Sequence, residues 1–261
     1  MKFSLLFLFG RSLRIAIAER AAYRGDFFIS FFVSFFLELI TPLVTLLIYR
    51  SGTAFPGWNL EEVLLLQATF LISRGIAFPL FFGMVWIVFE QSREGTFEIT
   101  LLKPRSPLLL TIIRGIDIEG FSKLFGGILL LIYTLSILPS PEFSDWILFF
   151  LLLVLSVTVL FTFALILSSS LFIWIGNGRL FELLESVLLF SRYPGSIFSS
   201  GFQLFFSIFI PLSMIAIFPA EALLGRRSYY MAISLPAVFL FLGAGYFFWN
   251  RMIRRYSGGG G

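Results

Sequence analysis

The sequence predicts an all-α integral membrane protein with six transmembrane helices. Its 261 residues are 58% hydrophobic and only 13% charged, and 36 of them are Phe. A soluble domain is about 45–50% apolar and about 25% charged. A chain of this length cannot bury so much apolar surface inside itself, because a folded domain still exposes much of its side-chain area. Lipid must therefore be the solvent for most of the chain.

Six apolar stretches approach the roughly 20 residues that a helix needs to cross the hydrocarbon core of a bilayer. The connections between them contain Gly, Pro and charged residues, and Pro cannot continue a helix. No connection is long enough for a soluble domain, so residues 1–256 are predicted to be a single transmembrane domain. The predicted spans cover residues 27–49, 63–89, 121–138, 146–173, 196–218 and 229–249.

The N-terminal residues, about 1–26, are predicted to form a helix along the cytoplasmic face of the membrane, with Arg near the headgroups. A cleaved signal peptide is the alternative, because an apolar run precedes the small-residue triplet Ala16-Ile17-Ala18. Arg11 and Arg14 lie between the two features, where they would obstruct cleavage, and they favour the surface helix. Residues 257–261 end in a Gly run and are predicted to be a flexible tail.

Basic residues predict the orientation, because cytoplasmic loops of membrane proteins are enriched in Lys and Arg. With both termini in the cytoplasm, only Arg50, Arg226 and Arg227 lie outside, and Arg74 lies within a span. The same topology puts fifteen basic residues inside: Lys2, Arg11, Arg14, Arg20, Arg24, Arg93, Lys103, Arg105, Arg114, Lys123, Arg179, Arg192, Arg251, Arg254 and Arg255.

Several chemistries are excluded or disfavoured by composition. The chain has no His and no Cys, which removes Ser-His triads, thiol nucleophiles, disulfides and the commonest metal sites. No phosphate-binding loop is present, because none of the lysines follows a Gly. The basic residues follow the membrane topology and do not indicate nucleic-acid binding. We therefore expect neither an enzyme nor a cofactor in this chain alone.

The connection after the second predicted span combines apolar and charged residues. A short helix is predicted at about 96–103 and ends before Pro104, and its residues Phe97 and Leu101 share one face. Two interpretations stay open, a helix lying on the membrane surface and a docking helix for a cytoplasmic partner. The residues concerned are Glu94, Gly95, Thr96, Phe97, Glu98, Leu101, Leu102, Lys103 and Pro104.

Two charges lie deep in the predicted spans. Glu38 and Arg74 are each about 16 Å below the same membrane boundary, at about 1.5 Å of helix rise per residue. Their spans are antiparallel and joined by a short loop, so the helices are predicted to be neighbours. An isolated charge at this depth is costly, which predicts a Glu38–Arg74 ion pair facing the protein interior. The pair is either a structural clamp, which we favour, or part of a cargo path.

Three motifs in chain order resemble those of the ABC-2-type permeases, which are the membrane subunits of ATP-binding-cassette exporters. The stretch from Glu94-Gly95-Thr96-Phe97-Glu98 to Leu101-Leu102-Lys103-Pro104 resembles the family signature "EG…ldllLl+P". The stretch 192–198, and Ile210-Pro211 with 218–225, resemble later patterns of this family, in the ABC-2-like subgroup often encoded beside a second, related permease. The predicted topology is also similar over the whole chain.

This resemblance implies a permease that works with a cytoplasmic ABC ATPase dimer and with a second permease, either another copy or a related chain, among membrane lipids. ATP and Mg would then be held by the ATPase, and the segment around Phe97 would be the coupling helix. The bacterial-type inner membrane is the implied location. Stand-alone membrane enzymes and scaffolds acting on lipids are the alternative class, and the missing nucleophiles count against them. The few polar groups in the spans favour an apolar or amphipathic cargo.

The resemblance also implies a re-entrant hairpin at the outer end of the path, before the last span. Residues 219–225 are too apolar for an ordinary loop and too short to span a bilayer. Irregular backbone is tolerated at membrane depth when it is packed within protein. A surface loop at the headgroups is the other interpretation. The implied gate residues are Pro219, Glu221, Leu223, Leu224 and Gly225.

Overall fold

The protein is described by a computed structural model that covers residues 5–118, 120–174 and 179–256. Helices and their connections account for these residues, and no strand occurs among them, which confirms the predicted all-α class. The Gly-rich tail lies outside the described residues. The helices are α1 Leu5–Ala22, α2 Arg24–Arg50, α3 Leu60–Ala77, α4 Gly83–Glu94, α5 Phe97–Leu101, α6 Pro107–Arg114, α7 Phe121–Leu135, α8 Phe143–Leu171, α9 Arg179–Leu188, α10 Ser200–Ile208, α11 Ile217–Leu223 and α12 Tyr229–Ile253.

Four helical segments in the described residues are long and apolar enough to cross a membrane: α2, the α3–α4 segment, α8 and α12. They make this a multi-pass membrane protein. A π-helical turn, Phe78–Phe82, joins α3 to α4, so that the segment runs unbroken for 35 residues. The turn contains Pro79, whose carbonyl accepts a hydrogen bond from the Asp117 amide at 2.9 Å. Helix α7 is apolar but shorter.

Local sequence signals fix where the long helices begin. Asn59 and Glu62 form a capping box at the start of α3, and Glu142 and Asp145 form another at the start of α8. Each box satisfies backbone N–H groups that lack partners in the first helical turn. At the far end, α4 stops at Gly95, whose φ of 71° is a left-handed conformation that Gly adopts without a side-chain penalty.

Helix α7 lies against α3 at very short range because glycines face the contact. A methyl group built on Gly75 would lie 2.3 Å from the Leu124 backbone nitrogen, and one on Gly127 would lie 2.8 Å from the Ile72 nitrogen. Small residues allow two membrane helices to approach until their backbones touch, which increases dispersion contact between them. This pairing fixes the height of α7 relative to α3.

The predicted fifth span, residues 196–218, is wrong as one continuous helix. Helix α10 ends at Ile208, a 3₁₀ turn covers Leu212–Met214, and α11 begins only at Ile217. Pro211 lies in the break and has no backbone N–H to extend the hydrogen-bond ladder of α10. A separate helix, α9, continues as a 3₁₀ turn over Leu189–Arg192.

Hydrogen bonds donated by four serine hydroxyls locate the α10–α11 segment within the bundle. Ser234, five residues into α12, donates to the Ser207 carbonyl at 2.8 Å, and Ser191 donates to the Leu212 carbonyl at 3.0 Å. The Ile215 carbonyl accepts from Ser73 at 2.9 Å and from Ser156 at 2.7 Å. Both of these serines are about 20 Å along their helices from the ends that carry the capping boxes. The segment thus reaches half-way into the bundle at Ile215.

Candidate functional site

A cluster of charged side chains lies inside the helical bundle, centred on Glu38 of α2. Within the described residues its carboxylate meets three cations. The Lys123 ammonium lies 2.9 Å from Oε1, a guanidinium nitrogen of Arg192 lies 3.6 Å from Oε2, and one of Arg74 lies 3.9 Å from Oε1. Glu38 is itself buried. A buried carboxylate needs such compensation, because removing one charged group from water costs about several kcal/mol.

Arg74 has a second and closer carboxylate partner. Its guanidinium donates to Glu185 Oε1 at 2.6 Å, which links α3 to α9. The guanidinium also lies 4.3 Å from the ring centre of Phe78. The ring centre of Phe70 lies 5.4 Å from the Arg74 guanidinium and 4.9 Å from that of Arg192. Aromatic faces attract cations and are weakly hydrated, so they suit arginines taken out of water.

Helix geometry explains why these charges come together. Glu38, Arg74 and Lys123 lie 12, 14 and 12 residues from the ends of α2, α3 and α7 that meet on one side of the bundle. At about 1.5 Å per residue, this places all three about 18–21 Å below those ends. Arg192 reaches the same depth from the 3₁₀ turn after α9, where it also donates to the Thr41 hydroxyl at 2.9 Å.

A crevice of about 420 Å³ opens at the end of the bundle that carries the capping boxes. It is lined by the α7–α8 connection and by Glu62, Asp145, Leu223 and Leu224, among others. Arg226 pairs with Glu62 at 2.7 Å and Arg227 with Asp145 at 3.4 Å, so the start of α12 is tied to the starts of α3 and α8. Of the gate residues proposed from sequence, Pro219 and Leu223 are buried in α11.

At the opposite end, the segment after α4 presents apolar side chains outward. Leu102 is 85% exposed and Ile99 60% exposed, and Leu101 is exposed beside them. Phe97 is different, with no exposed surface: its ring packs 4.8 Å from Phe172 and 5.5 Å from Tyr256. Of the two residues predicted to share one face, Leu101 is thus exposed and Phe97 is buried, because the 3.6-residue period shows which residues share a face but not what packs against them.

A protein family described as "ABC-2 family transporter protein" matches residues 35–260 of the chain. The chain belongs to the ABC-2 transporter family. No curated protein and no solved structure matches it. The family match confirms the resemblance stated from the sequence motifs, and it covers the charge cluster, the crevice and the exposed segment after α4. Proteins of the ABC-2 membrane family typically lack an ATPase domain of their own, and the family implies association with an ABC ATPase.

The ABC-2 chain offers no metal site in the part that the structure describes, where no group of three or more His, Asp or Glu side chains is arranged to hold an ion. The cluster carboxylates Glu38 and Glu185 are engaged by cations instead. Their arrangement can hold helices in register or bind anionic groups.

The structure brings the sequence-predicted residues Glu38 and Arg74 together, but as members of a larger group. Sequence reasoning missed Glu185, and it counted Lys123 and Arg192 only among the basic residues on the cytoplasmic side. The structure brings both residues into contact with the buried Glu38. Lys123 could have been found by the depth argument that located Glu38 and Arg74. Arg192 and Glu185 belong to a stretch whose charges lower its hydropathy below that of a span.

Glu221, one of the gate residues predicted from the sequence, has unusual chemistry. Its Oε2 is buried without a hydrogen-bond partner among the described residues. Helix α11 does not span the bundle, and Glu221 lies near the loop that joins α11 to α12. Burial raises the pKa of Glu221 to about 7, and the nearby charge of Arg226 offsets part of that effect. The carboxyl group is thus poised to gain or lose a proton near neutral pH.

We expect the stability of this ABC-2 protein to fall as the pH rises through neutrality, in part because of Glu221. A carboxyl group whose pKa is raised in the folded state contributes stability at low pH, and that stability is lost between its ordinary pKa of 4.5 and the folded value of about 7. Glu221→Gln should remove this part of the dependence and keep the melting temperature several degrees higher above pH 7. The measurement is thermal unfolding in detergent from pH 5 to 8. Glu61→Gln, at the same end of the bundle, should retain the original profile; identical profiles for all three proteins would contradict the prediction.

Proposed function

We propose that this chain is the membrane-spanning permease subunit of an ATP-driven exporter. It forms a translocation path with a second permease, either another copy or a related chain, and it is driven by a dimer of cytoplasmic ABC ATPases. The observation that carries the proposal is the family match over residues 35–260. ATP and Mg are bound and used by the ATPase, and this chain supplies the path, the coupling surface and the gate. Residues 1–256 act as one permease domain.

The proposed topology has six crossings, with both termini in the cytoplasm of a bacterial-type inner membrane. Four crossings are made by α2, the α3–α4 segment, α8 and α12, and the third in chain order is made by α7. The remaining crossing is made by α9 and its 3₁₀ turn. This assignment is supported by Glu185, which meets Arg74 near the middle of the α3–α4 segment, and by Tyr193, whose ring packs 5.9 Å from Phe55 in the α2–α3 loop. The N-terminal helix, α1, lies along the cytoplasmic face.

In this topology α10 and α11 form a re-entrant hairpin on the outer side. The chain descends through α10, turns near Ile215 at mid-depth, and returns through α11 to the crevice beside Leu223 and Leu224. Both limbs therefore start and end at the same face. We assign the outer gate to the returning limb, which contains Pro219, Glu221, Leu223, Leu224 and Gly225.

The segment from Glu94 to Pro104 is the proposed coupling element. Ile99, Leu101 and Leu102 are its exposed apolar residues, and Glu98 and Lys103 border them with charge. An apolar patch ringed by charges suits insertion into a groove on a partner protein. Phe97 supports the element from behind by packing against Phe172 at the end of α8 and Tyr256 after α12. A push on the element would thus reach two long helices directly.

We expect Leu102→Asp to abolish stable association with the ATPase while leaving the permease folded. Losing a central apolar contact of an interface typically costs about 2 kcal/mol or more of binding free energy, which is a factor of about 30 in Kd. The side chain is 85% exposed, so the substitution should not disturb internal packing. The measurement is co-purification of the ATPase with the permease, followed by its ATP hydrolysis rate in lipid.

The matched control for this experiment is Ile137→Asp. It places the same charge on an exposed apolar residue just after the C-terminal end of α7, at the end of the bundle away from the proposed coupling element. It should bind the ATPase as the unaltered chain does. Association and stimulation unchanged by Leu102→Asp would show that the segment from Glu94 to Pro104 is not the coupling element. Failure of the unaltered chain to associate with any ATPase encoded beside it would overturn the exporter proposal itself.

A further inference from the structure

The outward face of α9 carries two carboxylates near the depth of the charge cluster. Glu182 and Ser186 are exposed on this face beside Leu183, which is 63% exposed, and Glu185 lies at its edge with 30% of its side chain exposed. Carboxylates at this depth cannot face hydrocarbon without a cost of several kcal/mol, about 2.5–3.5 for a charge near the centre of a bilayer. The part of this face that carries Glu182 and Glu185 therefore borders water or a polar surface.

The cluster behind this face has unused capacity to bind an anion. Among the described residues it holds the three cations Arg74, Lys123 and Arg192 against the two carboxylates Glu38 and Glu185. The Nε groups of Arg74 and Arg192 are buried without a hydrogen-bond partner in this part of the chain. An unsatisfied buried donor is costly, so each of these groups favours an additional acceptor.

Glu185 is the carboxylate that could give way to an incoming anion. Arg74, its partner at 2.6 Å, is 4% exposed, so Glu185 lies between the buried guanidinium and the outward face of α9. The pocket between Arg192, Gln67 and Glu38 has a volume of only about 10 Å³, about that of one water molecule. An anion larger than water must therefore take the place of the Glu185 carboxylate instead of entering a ready cavity.

We propose that Arg74, Arg192 and Lys123 form a binding site for a phosphate group, and that Glu185 is an internal carboxylate that this phosphate displaces. Guanidinium groups bind phosphates through paired N–H donors. A phosphate ester offers more acceptor oxygens than a carboxylate, which suits a cluster with two further Nε donors. The phosphate enters from the outward face of α9 and is carried either by a lipid or by a soluble molecule. If that molecule is the cargo of the permease, this role rests on the proposed function, whereas the binding site itself does not.

Chemical rescue tests this site in the full-length permease, purified in a non-ionic detergent without any ATPase. Glu185→Ala leaves room for an anion, and Glu182→Ala is the matched control one turn away on the same helix. The probe is ethyl phosphate, titrated against chloride at equal ionic strength, and the readout is the melting temperature. We expect Glu185→Ala to melt lower in chloride and to recover with ethyl phosphate in a saturable way.

The apparent Kd of Glu185→Ala for ethyl phosphate should be about tenfold lower than that of the unaltered chain, since one competing ion pair of about 1.4 kcal/mol has been removed. Adding Arg192→Gln to Glu185→Ala should abolish the recovery. No saturable recovery, or an equal response from Glu182→Ala, would overturn the site. If Glu185→Ala does not fold, Glu185→Gln is titrated by the same criterion, since it keeps the volume of the side chain and removes only its charge.

A second titration distinguishes the two sources of the phosphate. Nanodiscs of phosphatidylcholine with increasing phosphatidic acid replace the detergent, and the lipids bound to each variant are counted by native mass spectrometry. Selective retention of phosphatidic acid by the unaltered chain, lost in Arg192→Gln, supports a lipid phosphate; a response to ethyl phosphate alone supports a soluble one. Because no ATPase is present, a negative result overturns the phosphate site and leaves the ATPase association of Leu102 untouched.

Discussion

Glu38→Gln is expected to be among the most destabilising substitutions in this protein. It would leave Arg74, Lys123 and Arg192 facing one another without the carboxylate that all three contact. Breaking a buried ion pair by removing one partner typically costs about 3–5 kcal/mol, and here three cations lose the same partner. We expect a large loss of expression and of melting temperature in detergent. Glu182→Gln, an exposed carboxylate of the same bundle, should leave both quantities nearly unchanged.

Double substitutions test which cation is the main partner of Glu38. Glu38→Gln with Lys123→Gln leaves Arg74 paired with Glu185 and only Arg192 uncompensated, so it should recover part of the lost stability. Glu38→Gln with Arg74→Gln leaves Lys123, Arg192 and Glu185 without their partners, and it should recover less. The reverse order, or losses that add without coupling, would show that Lys123 is not the main partner of Glu38. Double-mutant coupling between residues in contact is the expected signature.

Gly75→Ala should separate α3 from α7 and destabilise the bundle strongly. The added methyl group would lie 2.3 Å from the Leu124 backbone nitrogen, well inside van der Waals contact, and backbone cannot move aside as a flexible side chain can. Overpacking typically costs about 1–3 kcal/mol when side chains absorb the strain, and we expect the upper end here or more. The measurement is thermal unfolding of the purified permease.

Gly126→Ala is the control for that experiment, because it makes the same Gly-to-Ala change in α7, the helix that packs against α3. Its added methyl group would lie 3.5 Å from the Phe35 ring, an ordinary contact. It should be neutral or slightly stabilising, since Ala restricts the unfolded chain more than Gly does. Equal melting temperatures for the two variants would show that α3 and α7 do not approach as closely as described. A change in depth of α7 would also move Lys123 away from Glu38.

The sequence was sufficient to predict the charge contact that depends only on helix depth. Glu38 and Arg74 lie on adjacent antiparallel helices, and counting residues from a short loop places them together without knowledge of the rest of the fold. The same count would have placed Lys123, but this residue was counted only as a charge at the cytoplasmic end of the third predicted span. Glu185 and Arg192 could not be located in this way, because Arg179–Leu188 carries three charges and does not have the hydropathy of a span.

Two other outcomes show that apolar residues alone predict neither the continuity of a helix nor which of its residues are buried. Residues 196–218 are apolar enough for a span, yet hydropathy does not measure continuity, and Pro211 divides the segment between α10 and α11. Phe97 and Leu101 share a helical face, but only the positions of Phe172 and Tyr256 decide that Phe97 is inside. Both partners are distant in sequence, so the decision is made by tertiary packing and not by the local pattern.

The Ile215 carbonyl, which accepts one hydroxyl from α3 and another from α8, has a mechanical consequence. A carbonyl oxygen has two lone pairs, and here each is committed to a different long helix. Ser73 and Ser156 can both reach that oxygen only at the present spacing of α3 and α8, because serine side chains are short. If the two helices slide or separate by a few ångströms, one bond breaks before the other, and the turn of the chain follows the helix that keeps it. The position of the turn at Ile215 therefore depends on the spacing of α3 and α8. A relative movement of these two helices would displace the α10–α11 segment that is packed between them.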